Sequence, residues 1–555
     1  MVWPGNLPNP APLRVSGYRL VVPGFSDLFE RFDPDPNVRG GQFEQVCRWY
    51  LRNDPSYRRM LHQVWLWDDW PGRTGPDTGI DLVAEDRQGY LWAIQAKAYS
   101  PDRPVTKHDM DSFLSASSTA EFSFRLLIAT TDRIGANATR TVKDQEKPVH
   151  LHMRTDLEHA EVEWPVDPND FRAPRPTKKL PRPHQREAID AVAAGFRSYD
   201  RGQMIMACGT GKTLTALWVT EHLVSNRTLV LVPSLSLLKD TLREWTAQTS
   251  TDFSFMPVCS DPTVRGTDQW VSSTTELGFP VTTDPDEIAE FIRQDGPLVV
   301  FSTYHSSPRI AAAQSSDAVP AFDLVVADEA HRVTGPVSSD FATILDNDEI
   351  RAQRRLFTTA TPRFITDRTR KEAGEADFEL ASMDDEAVFG PVFHSLPFGE
   401  AIERDLLSDY QVAIIGVDDR MYRQLAEQGV FVRRDGEEVT DARTLASHIG
   451  LAKAMHDFDM RKTISFHSRV SKARDFASDF VDVVDWMPDD SKPDGNLVSN
   501  HVSGKMTAYE RDLRIRQLDQ LEDTQRGLLS NARCLGEGID VPTLDGVAFI
   551  DPRSS

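Results

Sequence analysis

Cysteine is scarce in this chain. Four residues, Cys47, Cys208, Cys259 and Cys534, are spread over 555 positions. No two have metal-ligand spacing, and a disulfide framework is excluded, so a reducing, cytoplasmic setting is expected. Long apolar runs are missing as well. None approaches the ~18 residues of a membrane span. The opening stretch, MVWPGNLPNPAPLRVSGYRL, lacks the basic region and apolar core of a signal peptide, so no membrane partner is expected. A positive charge excess is also absent. Lys and Arg number 62 against 85 Asp and Glu, a net charge of -23. That excludes whole-surface attraction to nucleic acid and leaves room for a local basic channel. Internal repeats and long low-complexity segments do not occur. What is present, 40% hydrophobic and 26% charged residues, is an ordinary globular composition. At this length one core is exceeded, and two to four domains are expected.

From Pro165 to Pro183 the sequence is rich in proline and poor in apolar periodicity, which fits an extended connector. Residues 171–186, FRAPRPTKKLPRPHQR, are locally basic inside an acidic chain. This divides the chain into a domain over 1–164, a connector over 165–183, and an α/β region over 184–555 that splits near 395. Residues 260–290, 366–390 and roughly 425–445 read as irregular insertions.

GQMIMACGTGKTLTALWVTEHLV runs from a short apolar strand through a glycine turn into an amphipathic helix. Its core is Gly209, Thr210, Gly211, Lys212 and Thr213. Such a loop aims backbone N–H groups at phosphate oxygens, and the helix N-terminus adds positive potential. Lys212 meets the β and γ phosphates of ATP, and Thr213 holds Mg²⁺. The full pattern has Gly five residues before Gly211, where this chain has Met206. FDLVVADEAHRVTG is a buried strand ending in Asp328, Glu329, Ala330 and His331. Carboxylates at the C-terminal edge of a parallel strand face the ligand crevice. Asp328 suits Mg²⁺, and Glu329 can polarise the attacking water. RLFTTATP supplies a further strand with Thr359 and Thr361 at its end.

These segments resemble motifs I, II and III of superfamily 2 helicases and translocases, and the resemblance continues in order over roughly 181–553. RPHQREAID matches the upstream Q-motif, where Gln185 would read the adenine edge. LVLVPSLSLL and VVFSTYHS look like motifs Ia and Ib, which usually touch the phosphate backbone of the tracked strand. KTISFHSRV looks like motif IV, opening a second RecA-like sheet. LLSNARCLGEGIDVPTLDGVAFIDP looks like motif V, with Gly538 and Asp540 where that family senses nucleotide. The resemblance implies two RecA-like lobes that close on ATP and move along duplex DNA or separate its strands; with no separate wedge element in view, duplex translocation is the expectation.

In the N-terminal domain, YLWAIQAKAY reads as a buried strand. Side chains alternate along it, so Gln95, Lys97 and Tyr99 share one face and Ile94, Ala96 and Ala98 the other. Asp81 opens the preceding run IDLVA. Metal-dependent nucleases need a carboxylate at a strand end, then a carboxylate or amide and a lysine on one face of the next strand. The metal lowers the pKa of its bound water, and the lysine orients that water. Asp81, Gln95 and Lys97 fit, and Glu44 could add a carboxylate. The cluster WLWDDWP at 65–71 is expected to be packing and surface. The Asp81, Gln95 and Lys97 set resembles the Mrr-type branch of the PD-(D/E)XK nucleases, with Gln95 in place of the commoner Glu.

An Mrr-like nuclease, a Pro-rich connector and a DEAH-type motor together resemble the front portion of single-chain type ISP restriction–modification enzymes. The fold expected is α/β: a restriction-endonuclease domain, then two RecA-like parallel-sheet lobes over 184–395 and 396–555. ATP and Mg²⁺ are the expected cofactors, and double-stranded DNA the expected partner. In that family a methyltransferase and a target-recognition domain follow. Here the chain reaches Ser555 before a motif VI arginine pair, so the second lobe is expected to be incomplete and the methyltransferase part to be either a missing C-terminal portion or a separate subunit. The alternative is a remnant or DNA-binding subunit with silent nuclease and ATPase.

Overall fold

The computed structural model describes residues 24–551, apart from 74, 76–78, 144, 173–177, 261–272, 337–339, 366–379, 416–432, 435–436, 439–441, 504–505, 507 and 533–543. The motif V residues Gly538 and Asp540 lie outside the described residues, as do 425–432, 435–436 and 439–441.

The N-terminal domain is a five-stranded sheet covered on both faces. Its strands β1 (Leu61–Leu66), β2 (Leu82–Asp86), β3 (Leu91–Lys97), β4 (Phe122–Ala129) and β5 (His150–His152) lie in sequence order. The first three are antiparallel, and β3, β4 and β5 run parallel. After a short α1 (Phe25–Phe29), helix α2 (Pro36–Asn53) covers one face. It starts where Asp35 accepts hydrogen bonds from the Asn37 and Val38 amides, with Pro36 in the first turn, a capped start that supplies partners for otherwise orphan donors. Phe43 and Val46 of α2 pack with Leu82, Ile94, Ala96 and Ala98. On the other face, α4 (Lys107–Ala116) and α5 (Ala136–Lys143) bring Met110, Phe113 and Val142 onto Val83, Ala93 and Tyr99. The strand's alternation therefore holds, and Gln95 enters the α4 layer. Trp67 and Trp70 are buried in that layer while Asp68 and Asp69 pair outward with Arg73 and Arg48, so WLWDDWP is packing and surface. Helix α3 (Pro55–Met60) and α6 (Arg154–Glu158) complete the domain.

The connector leads into α7 (Pro183–Gly195) and a seven-stranded sheet. Its strands are β6 (Arg201–Met206), β7 (Arg227–Val232), β8 (Ser254–Val258), β9 (Leu298–Thr303), β10 (Leu324–Ala327), β11 (Arg355–Thr359) and β12 (Val392–Leu396). All pairings are parallel, in the order β12-β6-β11-β10-β7-β9-β8. Both faces are covered, which explains continuous apolar runs such as TLVLV and LVVF. Helices α8 (Lys212–His222), α9 (Leu235–Gln248), α10 (Pro285–Ile292) and α11 (Ser307–Ala313) pack on it. The sheet runs past position 395: Leu396 and, in α12 (Phe398–Glu403), Ala401 are buried in the same core.

A second parallel sheet contains β13 (Lys462–Phe466), β14 (Asn496–Val502), β15 (Gln525–Asn531) and β16 (Gly546–Phe549), ordered β14-β15-β13-β16. Helices α13 (Ala442–Asp457), α14 (Val470–Asp485) and α15 (Ala508–Asp519) flank it. No helix among the described residues is long and apolar enough to cross a membrane.

Residues 260–290 are not an irregular insertion throughout. Leu277 and Phe279 sit in the core of the first lobe. Helix α10 starts on an Asp284 cap with Pro285 and two acids in its first turn, and it buries Ile288, Ala289, Phe291 and Ile292. DPDEIAEFI thus carries ordinary helix-start signals, overlooked amid the surrounding Ser, Thr and Asp.

Candidate functional site

Two centres are built in separate domains. In the N-terminal one, Asp81 lies just before β2. Its N–H donates to the Ile94 carbonyl at 3.0 Å, and its own carbonyl accepts from the Trp67 amide at 2.9 Å. Its carboxylate is fixed to the neighbouring strand, where Oδ2 accepts from the Ala96 amide at 2.7 Å. Gln95 is fully buried. Its Nε2 donates to the Gly79 carbonyl at 3.2 Å, which sets the orientation of the amide. Among the described residues its Oε1 is buried without a hydrogen-bond partner. An unsatisfied buried acceptor costs about 1–3 kcal/mol, and a cation would remove that cost.

Lys97 closes β3, half-buried, with no ion pair among the described residues. Glu44, on α2, and Asp81 both lie within electrostatic reach of Cys47 on the same helix. The buried Cys47 thiol is pushed up by burial first, then by the charges of Asp81 and Glu44. Tyr99 follows Lys97 on its face and donates to Asp109 at 2.8 Å. Its phenol is pushed up to about 12 by burial, by that bond and by nearby carboxylates including Asp81. Among the described residues no three His, Cys, Asp or Glu side chains form a metal cluster. The donor set here is a carboxylate with an amide oxygen.

The second centre lies at the C-terminal edge of the seven-stranded sheet. Met206 occupies the place of the usual first glycine because it is the last residue of β6 and fully buried. The loop that follows is short. Cys208 is exposed, and Gly209 and Gly211 adopt left-handed φ values of +81° and +85°, open to glycine at little cost. Lys212 opens α8, and its Nζ lies 3.6 Å from Glu329 Oε1. Thr213, half-buried, follows in the same turn. Asp328 follows directly on β10, and its Oδ1 accepts from Thr358 Oγ1 at 2.6 Å and from the Glu329 amide at 2.9 Å. Burial and then the Glu329 charge raise the Asp328 carboxyl. Burial also works to raise Glu329, but the hydrogen bond from His331 and the charge of Lys212 outweigh it and hold Glu329 below the usual range. His331 Nδ1 also sits 3.0 Å from Thr359 Oγ1. Lys212, Glu329, His331 and Thr359 therefore form one polar chain across the segments resembling motifs I, II and III.

Gln185, expected at an adenine edge, lies against the phosphate loop. Its Oε1 accepts from the Arg182 amide at 2.8 Å, and its Nε2 reaches the Thr210 carbonyl at 3.2 Å. A Cβ on Gly211 would lie 2.4 Å from that nitrogen. Here the amide braces the phosphate loop, joined by His184 Nε2 at 3.0 Å from the same Thr210 carbonyl.

Two supporting residues were not anticipated. Thr358 holds the Asp328 carboxylate, and buried Tyr304 donates its phenol to the Asp328 carbonyl at 2.7 Å. Thr358 sat in view in LFTTATP. Tyr304 gave only a weak signal, an aromatic following the strand VVFST.

Two family models match the chain: one described as a restriction endonuclease, over residues 52–170, and the type III restriction enzyme res subunit, over residues 178–364. The class these matches point to is a restriction-endonuclease-like domain joined to a region similar to the helicase part of restriction enzymes. More particularly, the chain matches the nuclease–helicase portion of type ISP restriction–modification enzymes. It superposes on the ATP-dependent type ISP enzyme LlaBIII, solved bound to DNA, with a TM-score of 0.80 and 30% identity, covering 96% of this chain and 36% of that one. It is also 26% identical over 378 residues to the probable helicase A859L of African swine fever virus (strain Badajoz 1971 Vero-adapted), 67% of this chain and 38% of that protein. The chain thus spans little more than a third of the length of either relative.

Proposed function

We propose that this chain is the nuclease–motor part of an ATP-dependent DNA restriction endonuclease. ATP turnover between the two parallel-sheet lobes drives movement on double-stranded DNA, and the N-terminal domain cuts it. A motor alone would be a translocase. The observation that carries the nuclease half is the buried Oε1 of Gln95, without a partner among the described residues, its amide oriented by Gly79 on the strand whose Ala96 amide holds the Asp81 carboxylate. That donor pair fits a divalent ion, and Mg²⁺ would be held there by Asp81 and Gln95. When bound, the ion acidifies its water and stabilises the charge of the attacked phosphate. Lys97 holds its ammonium at the strand end, with no carboxylate among the described residues to neutralise it, ready to orient the attacking water. Glu44 stands on the α2 side to take a proton.

In the motor, Lys212 offers its charge to the β and γ phosphates of ATP, leaving Glu329. Freed of that ion pair, Glu329 can orient water, with His331 holding its carboxylate and Thr359 in turn contacting that histidine. Thr213 and Asp328 are the residues that would hold the nucleotide's Mg²⁺. The paired Asp328 and Glu329 charges fit a cation site. A methyltransferase and recognition component, elsewhere on the polypeptide or on a partner, would supply target choice. The cytoplasm is the proposed setting, consistent with three free cysteines among the described residues.

The neutral amide of Gln95 also favours a second reading, in which the nuclease is silent, because an amide binds Mg²⁺ more weakly than a carboxylate. The deciding experiment measures duplex cleavage and ATP turnover on Asp81→Ala and Lys212→Ala. Asp81→Ala should abolish Mg²⁺-dependent cleavage and spare ATP hydrolysis, whereas Lys212→Ala should lose ATP binding by calorimetry. Undiminished cleavage by Asp81→Ala would refute the nuclease assignment.

A further inference from the structure

Helix α9 touches both the phosphate loop's helix and the nuclease domain. It follows β7 at the C-terminal edge of the sheet, with Ser234 as its cap. Near its far end Trp245, buried, donates its indole N–H to the carbonyl of Thr213 in the phosphate loop's helix at 3.1 Å. Its adjoining face is buried against the nuclease domain. Lys239 Nζ lies 2.5 Å and Arg243 Nη2 3.1 Å from the same Oδ1 of Asp156, on α6. The three side chains are 8%, 15% and 14% exposed. Lys239 also donates to the Glu276 carbonyl at 2.6 Å. Ser56 Oγ meets Thr246 Oγ1 at 2.8 Å, and Tyr57 donates to the Gly278 carbonyl at 2.8 Å. The chains come so close that a Cβ on Gly278 would stand 3.1 Å from both His152 Nδ1 and the Tyr57 hydroxyl. The second lobe reaches the nuclease domain through a looser ion pair, Arg516 with Glu158 at 3.5 Å, where Arg516 is 34% exposed.

An interface held only by apolar area is non-directional and tolerates sliding. Buried ion pairs add little net stability, because desolvation cancels most of their attraction, but a misplaced partner leaves a buried charge uncompensated. The Asp156, Lys239 and Arg243 cluster is thus a weak adhesive and a strict register mark. We propose that these three residues lock the nuclease onto the first lobe in one register, with α9 as the rigid strut between the phosphate loop and the cutting domain. Asp156 is then a positioning residue for cleavage. The place of the cut is set by where the first lobe sits, while the second lobe moves relative to both. The lock stands on the contacts alone; its effect on cutting rests on the nuclease reading above.

The test compares the wild type with Asp156→Asn and with the combined Asp156→Leu, Lys239→Met, Arg243→Met variant. The second removes every charge of the cluster at similar volume, and such a swap usually preserves stability. Spin labels on unnatural amino acids at positions 90 and 295, one in each domain, report the separation, with and without a non-hydrolysable ATP analogue and duplex DNA. We expect one narrow distance in the wild type under all conditions. In the variants it should broaden, with an unlowered Tm in the apolar one. Cut positions on a long duplex should scatter, while DNA-stimulated ATP turnover changes less than twofold. An equally narrow distance in the variants, or a broad one in the wild type, overturns the lock. Unchanged cut positions despite a broadened distance overturn the positioning role. Should Asp81-dependent cutting be absent in the wild type, the nuclease reading fails, and the distances alone decide the lock.

Discussion

Gln95 combines two requirements in one side chain. Its nitrogen is spent on Gly79 and its oxygen is left over. Gln95→Glu replaces that oxygen's neutral lone pair with a full charge at the same reach. Mg²⁺ affinity, read by calorimetry on the Lys212→Ala background so that the motor site is silent, should rise roughly tenfold, since ligand charge is a main control of such sites. Gln95→Glu also removes the donor to Gly79, so the gain is expected only if the oxygen faces the ion; a weaker Mg²⁺ interaction would place Gln95 in a purely structural role. The identity and common face of Gln95 and Lys97 were legible from strand alternation alone. The orphaned oxygen was not, because it depends on Gly79, sixteen residues away across a turn.

At the level of elements, the strand-to-loop junctions read well and their supports did not. The GTGKT loop and the DEAH strand end are local patterns whose chemistry follows from residue type and spacing. Tyr304 acts from β9's end onto the strand after it, a tertiary neighbour that no local spacing announces. Tyr304→Phe leaves the Asp328 carbonyl unpaired in the core at a cost of about 1–3 kcal/mol. Steady-state ATP turnover should fall about 10- to 100-fold, the usual range for a residue supporting a metal ligand, with nucleotide binding largely kept. Glu329→Gln should likewise bind ATP and lose roughly 10²–10⁴ in turnover, and a variant hydrolysing at the wild-type rate would remove Glu329 from the water's path. An adenine-reading Gln185 was expected from the Q-motif pattern; that its amide also braces the loop follows only from the three-dimensional position of Arg182 and Thr210.

For the whole molecule, the join between nuclease and first lobe should be acid-sensitive. Burial first, and then the charges of Arg243 and Lys239, hold His152 down at about 3, with Asp156 opposing. A histidine whose folded pKa is depressed contributes stability that is complete above its ordinary 6.5 and is lost as pH falls toward 3. Asp156 acts in the same direction at lower pH: burial would raise its carboxyl, but Lys239 and Arg243 hold it well below the carboxylate range. The His152 contribution at pH 5 is about 2 kcal/mol, or roughly 4–8 °C in Tm for a domain of this size. Because His448 and His467 in the second lobe are also depressed, to about 4, the informative quantity is a difference. The fall in Tm from pH 7.5 to 5 should be smaller in His152→Gln than in the wild type, and an equal fall would remove His152 from the acid response.

The register of the two domains was invisible in the sequence because its parts come from 54–57, 152–156, 239–246 and 273–278, none of which carries a recognisable pattern. Glu276 and Gly278 offer their carbonyls from a segment that the motor inserts between β8 and β9. The receiving surface is thus not a generic flank of a RecA-like sheet but a socket with a keyed lip. For anyone recombining modules, the nuclease is not a freely portable cassette: transplanted to another motor without residues 273–279, it would arrive with its plug and no outlet.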